Sequence, residues 1–210
     1  HRTYGLPHCS EVEFLPRFPF ATVRLSDEKL PLTCTLTGWS PFAPGAADDS
    51  SLPVAALEYE FKNLSARPIE AVFSFHAKNF LAIGNKSEDK AFHAVKRLPQ
   101  GFALHQEALP DAPHQAAAFG VECEDPATRV DCGWFRSGWF DTNAFLWRNV
   151  IAGETPERPP HEGEPAGGGS LYVLCRLESG QSRTIRLRLV WYAPVSDLRL
   201  GKDPESDPAA

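Results

Sequence analysis

From Phe18 onward the chain alternates apolar and polar positions with a period of two, the signature of strands that bury one face and expose the other. Phe18, Phe20, Thr22 and Arg24 stand against Pro19, Ala21, Val23 and Leu25, and Leu32, Cys34 and Leu36 against Thr33, Thr35 and Thr37. Val54 to Lys62 sets Leu57, Tyr59 and Phe61 opposite Glu58, Glu60 and Lys62, and the turn-rich stretch Asn63 to Pro68 reverses the chain into Ile69 to Ala77. This pair predicts a long hairpin. Gly101 to Glu107 and Gln115 to Glu122 read as two further strands around a Pro-bearing turn, and Leu171 to Glu178 and Thr184 to Trp191 as a closing pair. The period changes once, at Asp141 to Gly153, where Phe145, Leu146, Val150 and Ile151 share a helical stripe, Asp141 is placed to cap and Gly153 to terminate. Glu154 to Gly169 is too rich in Pro and Gly for regular structure and reads as a mobile surface loop.

Many short strands with one short helix and long loops predict a mainly β fold, an antiparallel two-sheet β-sandwich. Its expected bounds are 18–195, after an extended lead-in over 1–17 and before a linker or frayed tail over 196–210. The 210-residue length suits one domain with a real core. The net charge of −6, with basic residues scattered along the chain, argues against a nucleic-acid partner. No apolar run approaches the roughly 20 residues that span a bilayer, and no secretory signal pattern opens the chain. A soluble chain follows, with a cytoplasmic location favoured. The chain has no Met and starts at His1, which suggests a segment of a longer polypeptide or a processed product.

Candidate chemistry is sparse. The five cysteines are widely and irregularly spaced, which leaves only a Cys123 to Cys132 bridge across a loop as a candidate. Neither cysteine nor histidine spacing supports a metal site, and no cofactor is implied. Asp48 and Asp49 are neighbours on an extended loop and so point apart, a poor geometry for paired carboxylate chemistry. Ser50 and Ser51 lack a nucleophile-elbow setting and read as capping groups. Gly167 to Gly169 precedes a strand, whereas a phosphate cradle follows one and opens a helix. His76, His93, His105, His114 and His161 stand singly and read as surface or hydrogen-bonded structural residues. Trp134, Phe135, Trp139, Phe140 and Trp147 crowd together; core packing is the leading reading for them, and a sugar-stacking platform of Trp134, Trp139 and Trp147 the alternative.

One stretch is specific. The loop between the second and third strands carries Trp39, Ser40, Pro41, Phe42, Pro44, Asp48, Ser50, Ser51, Leu52, Pro53 and Val54, followed by the Tyr59 strand and the Lys62-Asn63 turn. This run resembles the N-terminal domain of glycoside hydrolase family 116, the family of bile-acid β-glucosidase, or non-lysosomal glucosylceramidase. Fainter similarity continues at Asn79-Phe80, around Trp147 and at Val190 to Pro194. The resemblance implies a β-sandwich that precedes a helical (α/α)6 catalytic domain in the same polypeptide. That domain would carry both carboxylates of a retaining mechanism, about 5–5.5 Å apart. No residue here matches a catalytic position, so the chain alone is expected not to hydrolyse glycosides, although its parent would act on a glycoside or glycolipid. The loop is then a docking or cleft-rim element: prolines stiffen it, Asp48, Asp49, Ser50 and Ser51 bond its backbone, and Trp39, Pro41 and Phe42 present an apolar anchor. The competing readings are a stand-alone carbohydrate-binding module and a small enzyme using Asp48 or Asp49.

Overall fold

The computed structural model describes residues 7–81, 93–134, 142–161, 163 and 167–196. Among these residues eleven strands run in the order β1 (Glu11–Arg17), β2 (Phe20–Ser26), β3 (Leu32–Trp39), β4 (Val54–Asn63), β5 (Ile69–Lys78), β6 (His93–Leu98), β7 (Gly101–Gln106), β8 (Ala117–Cys123), β9 (Arg129–Asp131), β10 (Gly168–Leu177) and β11 (Ser182–Tyr192). A single helical turn, α1 (Ala47–Ser50), lies between β3 and β4, and the helix α2 (Thr142–Ala152) between β9 and β10. The strands form two antiparallel sheets: a large one of eight strands, β1-β2-β3-β4-β11-β8-β7-β6, and a small one of three, β5-β10-β9. The chain is therefore mainly β, with two sheets packed face to face.

The alternation that marks the strands also builds the core. Leu57, Tyr59 and Phe61 of β4, Ile185 and Leu187 of β11, Val121 and Cys123 of β8, and Phe102 and Leu104 of β7 point from the large sheet toward Phe73 of β5 and Leu171, Val173 and Cys175 of β10. Phe102, Leu104, Val121, Leu171, Val173 and Leu187 are wholly buried, and burying each such side chain stabilises the fold by about 1.5–3 kcal/mol. Tyr59 and Phe61 both pack on Phe73, with ring centroids 5.0 and 6.1 Å away. The small sheet is narrower than the large one, so the inner faces of β1 to β3 run on past it and Val12 and Phe14 remain exposed.

Several sequence expectations need adjusting. Glu11–Arg17, read as lead-in, pairs with β2 along its full length as an edge strand, where Pro16 costs no ladder bond to a further neighbour. The Glu154 to Gly169 stretch is only partly loop: Gly168 and Gly169 already belong to β10, and the Cys132 N–H donates to the Arg158 carbonyl at 3.0 Å, tying the 154–160 segment to the end of β9. Glycine is required at Gly168 because a Cβ there would lie 2.4 Å from the Ala77 carbonyl oxygen and 2.5 Å from the Trp134 ring. Helix α2 ends as its sequence predicts, with Gly153 at φ 64° and Glu154 N–H donating to Asn149 O, but Val150 and Ile151 of the expected apolar stripe face solvent. Its expected cap, Asp141, lies outside the described residues. Cys123 and Cys132 are buried and unbonded, so the candidate bridge is absent. Asn63, which opens an Asn-Leu-Ser sequon, is fully buried; its amide donates to the carbonyls of Arg67, Leu177 and Glu178 and its oxygen accepts from Ser65, which closes it to glycosylation in the folded chain.

Candidate functional site

The strand registers give the sandwich two unlike ends. Connections 27–31, 64–68, 99–100, 124–128 and 178–181 are tight and lie at one end. The longer connections 40–53, 79–92, 107–116 and 132–167 leave from the other, together with the β1–β2 turn and the stretch that follows β11. Loops gathered on one end of a rigid sandwich are where such folds place binding surfaces.

At that end the 40–53 loop is held by its serines. Ser50 Oγ accepts from the Ala43 N–H at 3.0 Å and lies 2.8 Å from the Ala46 carbonyl, and Ser51 Oγ donates to the Ala47 carbonyl at 2.7 Å, which closes the single turn α1. Asp48 and Asp49 sit on α1, exposed, and make no side-chain hydrogen bond or ion pair among the described residues. The expected backbone bonding thus falls to Ser50 and Ser51 alone. The loop is anchored at its far side by Trp191 N–H donating to the Pro53 carbonyl at 3.0 Å. Rather than burying its aromatics, the loop displays them. Phe42 is 49% exposed and meets Phe18 edge to face at 4.7 Å, while Trp39, 36% exposed, leans on Phe20 at 6.4 Å. Leu52, Val190, Trp191 and Tyr192 are also exposed near this end; Val190 and Tyr192 share the sheet face that carries Trp39, and Trp191, between them, points to the other face. Pro41, half-buried, stiffens the turn between Trp39 and Phe42.

The tryptophan cluster behaves otherwise. Trp134 is 3% exposed; its ring fills the space left by Gly168 and its indole N–H donates to Ser170 Oγ at 2.8 Å. A sugar cannot stack on it, which removes it from the proposed platform. Trp147 is half-buried on α2, and Trp139 lies outside the described residues.

Around Trp134 a buried polar group covers the outer face of the small sheet, and single-position reading of the sequence does not reveal it. Ser170 Oγ also lies 2.8 Å from His76 Nδ1, and His76 packs edge to face on Tyr172. Asp131, wholly buried, accepts from the Gly133 N–H at 3.0 Å and holds Arg158 in a two-point ion pair, Nε to Oδ1 at 2.9 Å and Nη2 to Oδ2 at 2.6 Å. His76 Nε2 and the Tyr172 hydroxyl are buried without a hydrogen-bond partner among the described residues. The signal in the sequence was the set of outward-facing positions on paired strands, His76 opposite Ser170 and Ser170 opposite Asp131, which only the register brings together. Burial holds the His76 imidazole below its usual range, against the pull of the Asp131 carboxylate. In the unfolded chain the same ring takes up a proton near pH 6.5. The unfolded state therefore binds more protons as pH falls below that value, and stability drops until the folded ring also titrates. His105, also lowered by burial and by Lys96, adds a slope of the same sign. Urea midpoints between pH 7.5 and 5 should fall in the native chain and fall less in His76→Gln; equal slopes would show that His76 contributes nothing.

Among the described residues no group of His, Cys, Asp or Glu side chains could hold a metal ion, and no helix is long and apolar enough to cross a membrane. No curated protein matches the chain. Solved structures do: 62 chains match, among them one from Escherichia coli K12 and one from Klebsiella pneumoniae, each described as a putative aldose 1-epimerase. The first is 10% identical over 88% of this chain and 69% of that one, with a TM-score of 0.45. The second is 12% identical over 86% of this chain and 53% of that one, with a TM-score of 0.32. Residues 3–205 match the family described as beta-glucosidase 2, glycosyl-hydrolase family 116 N-term. With that match running almost from end to end, the chain belongs to the N-terminal domain family of glycosyl-hydrolase family 116.

Proposed function

We propose that this β-sandwich is a non-catalytic domain that packs on and supports a helical catalytic domain of a β-glucosidase or glucosylceramidase-like glycoside hydrolase in the same polypeptide. The observation that carries this reading is the set of exposed apolar side chains Trp39, Phe42 and Leu52 at the long-loop end, with Tyr192 at the end of β11 on the same sheet face as Trp39. Large aromatics exposed together on a stiffened loop are costly in water and characteristic of surfaces that a partner covers. A partner joined through the segment after β11 is at high effective concentration beside that surface, so even a modest contact would hold it. Asp48 and Asp49 are exposed and isolated, a setting that offers neither the desolvation nor the facing carboxyl that glycoside hydrolysis needs. The bond-breaking groups accordingly belong to the other domain, and the role here is to brace it and to form part of its rim.

The full-length polypeptide tests this. Trp39→Ala with Phe42→Ala should split one cooperative thermal transition into two and lower turnover of a chromogenic β-glucoside, while the 210-residue chain alone turns over none. A double variant with an unchanged single transition and unchanged turnover would remove the docking role.

A further inference from the structure

We infer that the outer face of β1, β2 and β3 carries an oligosaccharide-binding groove. Two hollows run end to end along this face and share Arg24. One, of about 670 Å³, is lined by Leu15, Arg17, Phe18, Phe20, Thr22 and Thr37. The other, of about 390 Å³, continues past Arg24 toward Glu11, Ser26 and Thr33. From Phe20 to Ser26 the floor extends about 20 Å at the rise of a β-strand, enough for several sugar rings in a row.

The chemistry of the lining selects the ligand class. A pyranose offers an apolar face to an aromatic ring and a rim of hydroxyls to paired donors and acceptors. Phe18 and Phe20, 77% and 47% exposed, supply the rings at one end. The floor is a ladder of hydroxyls: Thr22 and Thr37 face each other across the β2–β3 register with their oxygens 3.4 Å apart, and Thr35 and Thr33 follow in the same direction. Arg24 and Glu13, paired at 3.0 Å and exposed, form a ready donor and acceptor at the centre. Arg17 has no side-chain partner among the described residues and is free to donate. On the adjoining part of the same sheet face, Arg186 and Arg188 are closed onto Glu58 and Glu124. A phosphate-rich partner fits poorly, because the groove's cations are balanced by Glu11 and Glu13 and the chain is acidic overall. The groove's aromatic end adjoins the proposed docking surface, with Phe18 packed on Phe42 and Phe20 on Trp39, while the stretch from Thr22 to Ser26 runs away from it along β2.

Titration of the isotope-labelled 210-residue chain with cellotetraose, laminaritetraose and tetra-N-acetylchitotetraose, followed by amide NMR, tests it, with glucose as the short control. At least one tetrasaccharide should give saturable shifts clustered in residues 15–24 and 33–39. Phe20→Ala should weaken it about tenfold, the scale of a lost aromatic contact. Thr37→Val, which keeps shape and strand preference while deleting a hydroxyl, should weaken it several-fold. Arg17→Ala, at an exposed position with no partner to lose, keeps the test open if Phe20→Ala does not fold. No saturable shift with any of the sugars, shifts that map elsewhere, or affinity untouched by every folded variant would overturn the groove.

Discussion

Arg158→Ala should destabilise the chain more than Asp131→Ala does, although the two residues form one ion pair. The asymmetry lies in who is buried. Asp131 is sealed from solvent, whereas the Arg158 side chain keeps 44% of its exposure. Deleting the arginine strands an uncompensated carboxylate in the interior, at a cost of about 3–5 kcal/mol. Deleting the aspartate frees a guanidinium that reaches water and orphans mainly the Gly133 N–H, at about 1–3 kcal/mol. For a domain of this size the larger loss lowers the midpoint by about 10 °C. Urea unfolding of both variants and of the double variant reads all of this. The double variant should recover part of the single loss, because the groups act as a unit. A cost for Asp131→Ala equal to or above that of Arg158→Ala would mean that the carboxylate is not the group at risk.

The difference between what the sequence discloses and what it hides follows from the range of the interactions. Strands β4, β5 and β11 are legible because their apolar residues are gathered on one face, which imposes a period of two, whereas β10 alternates in burial only from Val173 to Leu177, its first half being buried on both faces. Edge elements escape this. β1 pairs on one side only and carries Pro16 beside two glutamates, features that protect an edge but mask its pattern, and β9 spans only Arg129–Asp131. The glycines before Leu171 suggest a loop because composition alone cannot tell flexibility from close approach; Gly169 is in fact pressed against the Phe102 ring. That the small sheet covers only part of the large one is a matter of strand order, which local pattern does not encode.

The candidate site was partly legible for the same reason. Trp39 and Phe42 stand out because aromatics and prolines in a loop are locally odd, and the structure displays both rings at the long-loop end. For Trp134 the sequence leaves packing, the leading reading, beside a sugar platform, because aromatic density marks both; its burial, which agrees with packing, depends on Gly168 and Ser170, more than thirty residues away along the chain. Phe18 and Phe20 were visible only as strand residues. Their exposure follows from lying on the outer face of an uncovered portion of sheet, at the tip of a hairpin, where no second layer reaches them.

The second large effect should come from a single methyl group. A Cβ at Gly101 would fall 2.0 Å from the Val121 carbonyl oxygen and 2.9 Å from Glu122 Cα, both backbone atoms of β8. No rotamer change relieves that contact, so β8 must move, and β8 carries Val121 and Cys123 into the centre of the core. Gly101→Ala is therefore expected to cost more than about 3 kcal/mol, beyond the usual range for overpacking. Gly169→Ala makes the informative contrast. Its added Cβ would meet the Phe102 ring at 2.6 Å, a side chain that can be exchanged. Overpacking there should cost about 1–3 kcal/mol. Phe102→Leu introduced with it should restore part of the loss, whereas shortening a side chain beside Gly101 should restore nothing. Urea denaturation of the two single variants and the Gly169→Ala/Phe102→Leu pair measures both claims. A Gly101→Ala chain as stable as the native one would mean that β7 and β8 do not approach as closely in solution as this register requires.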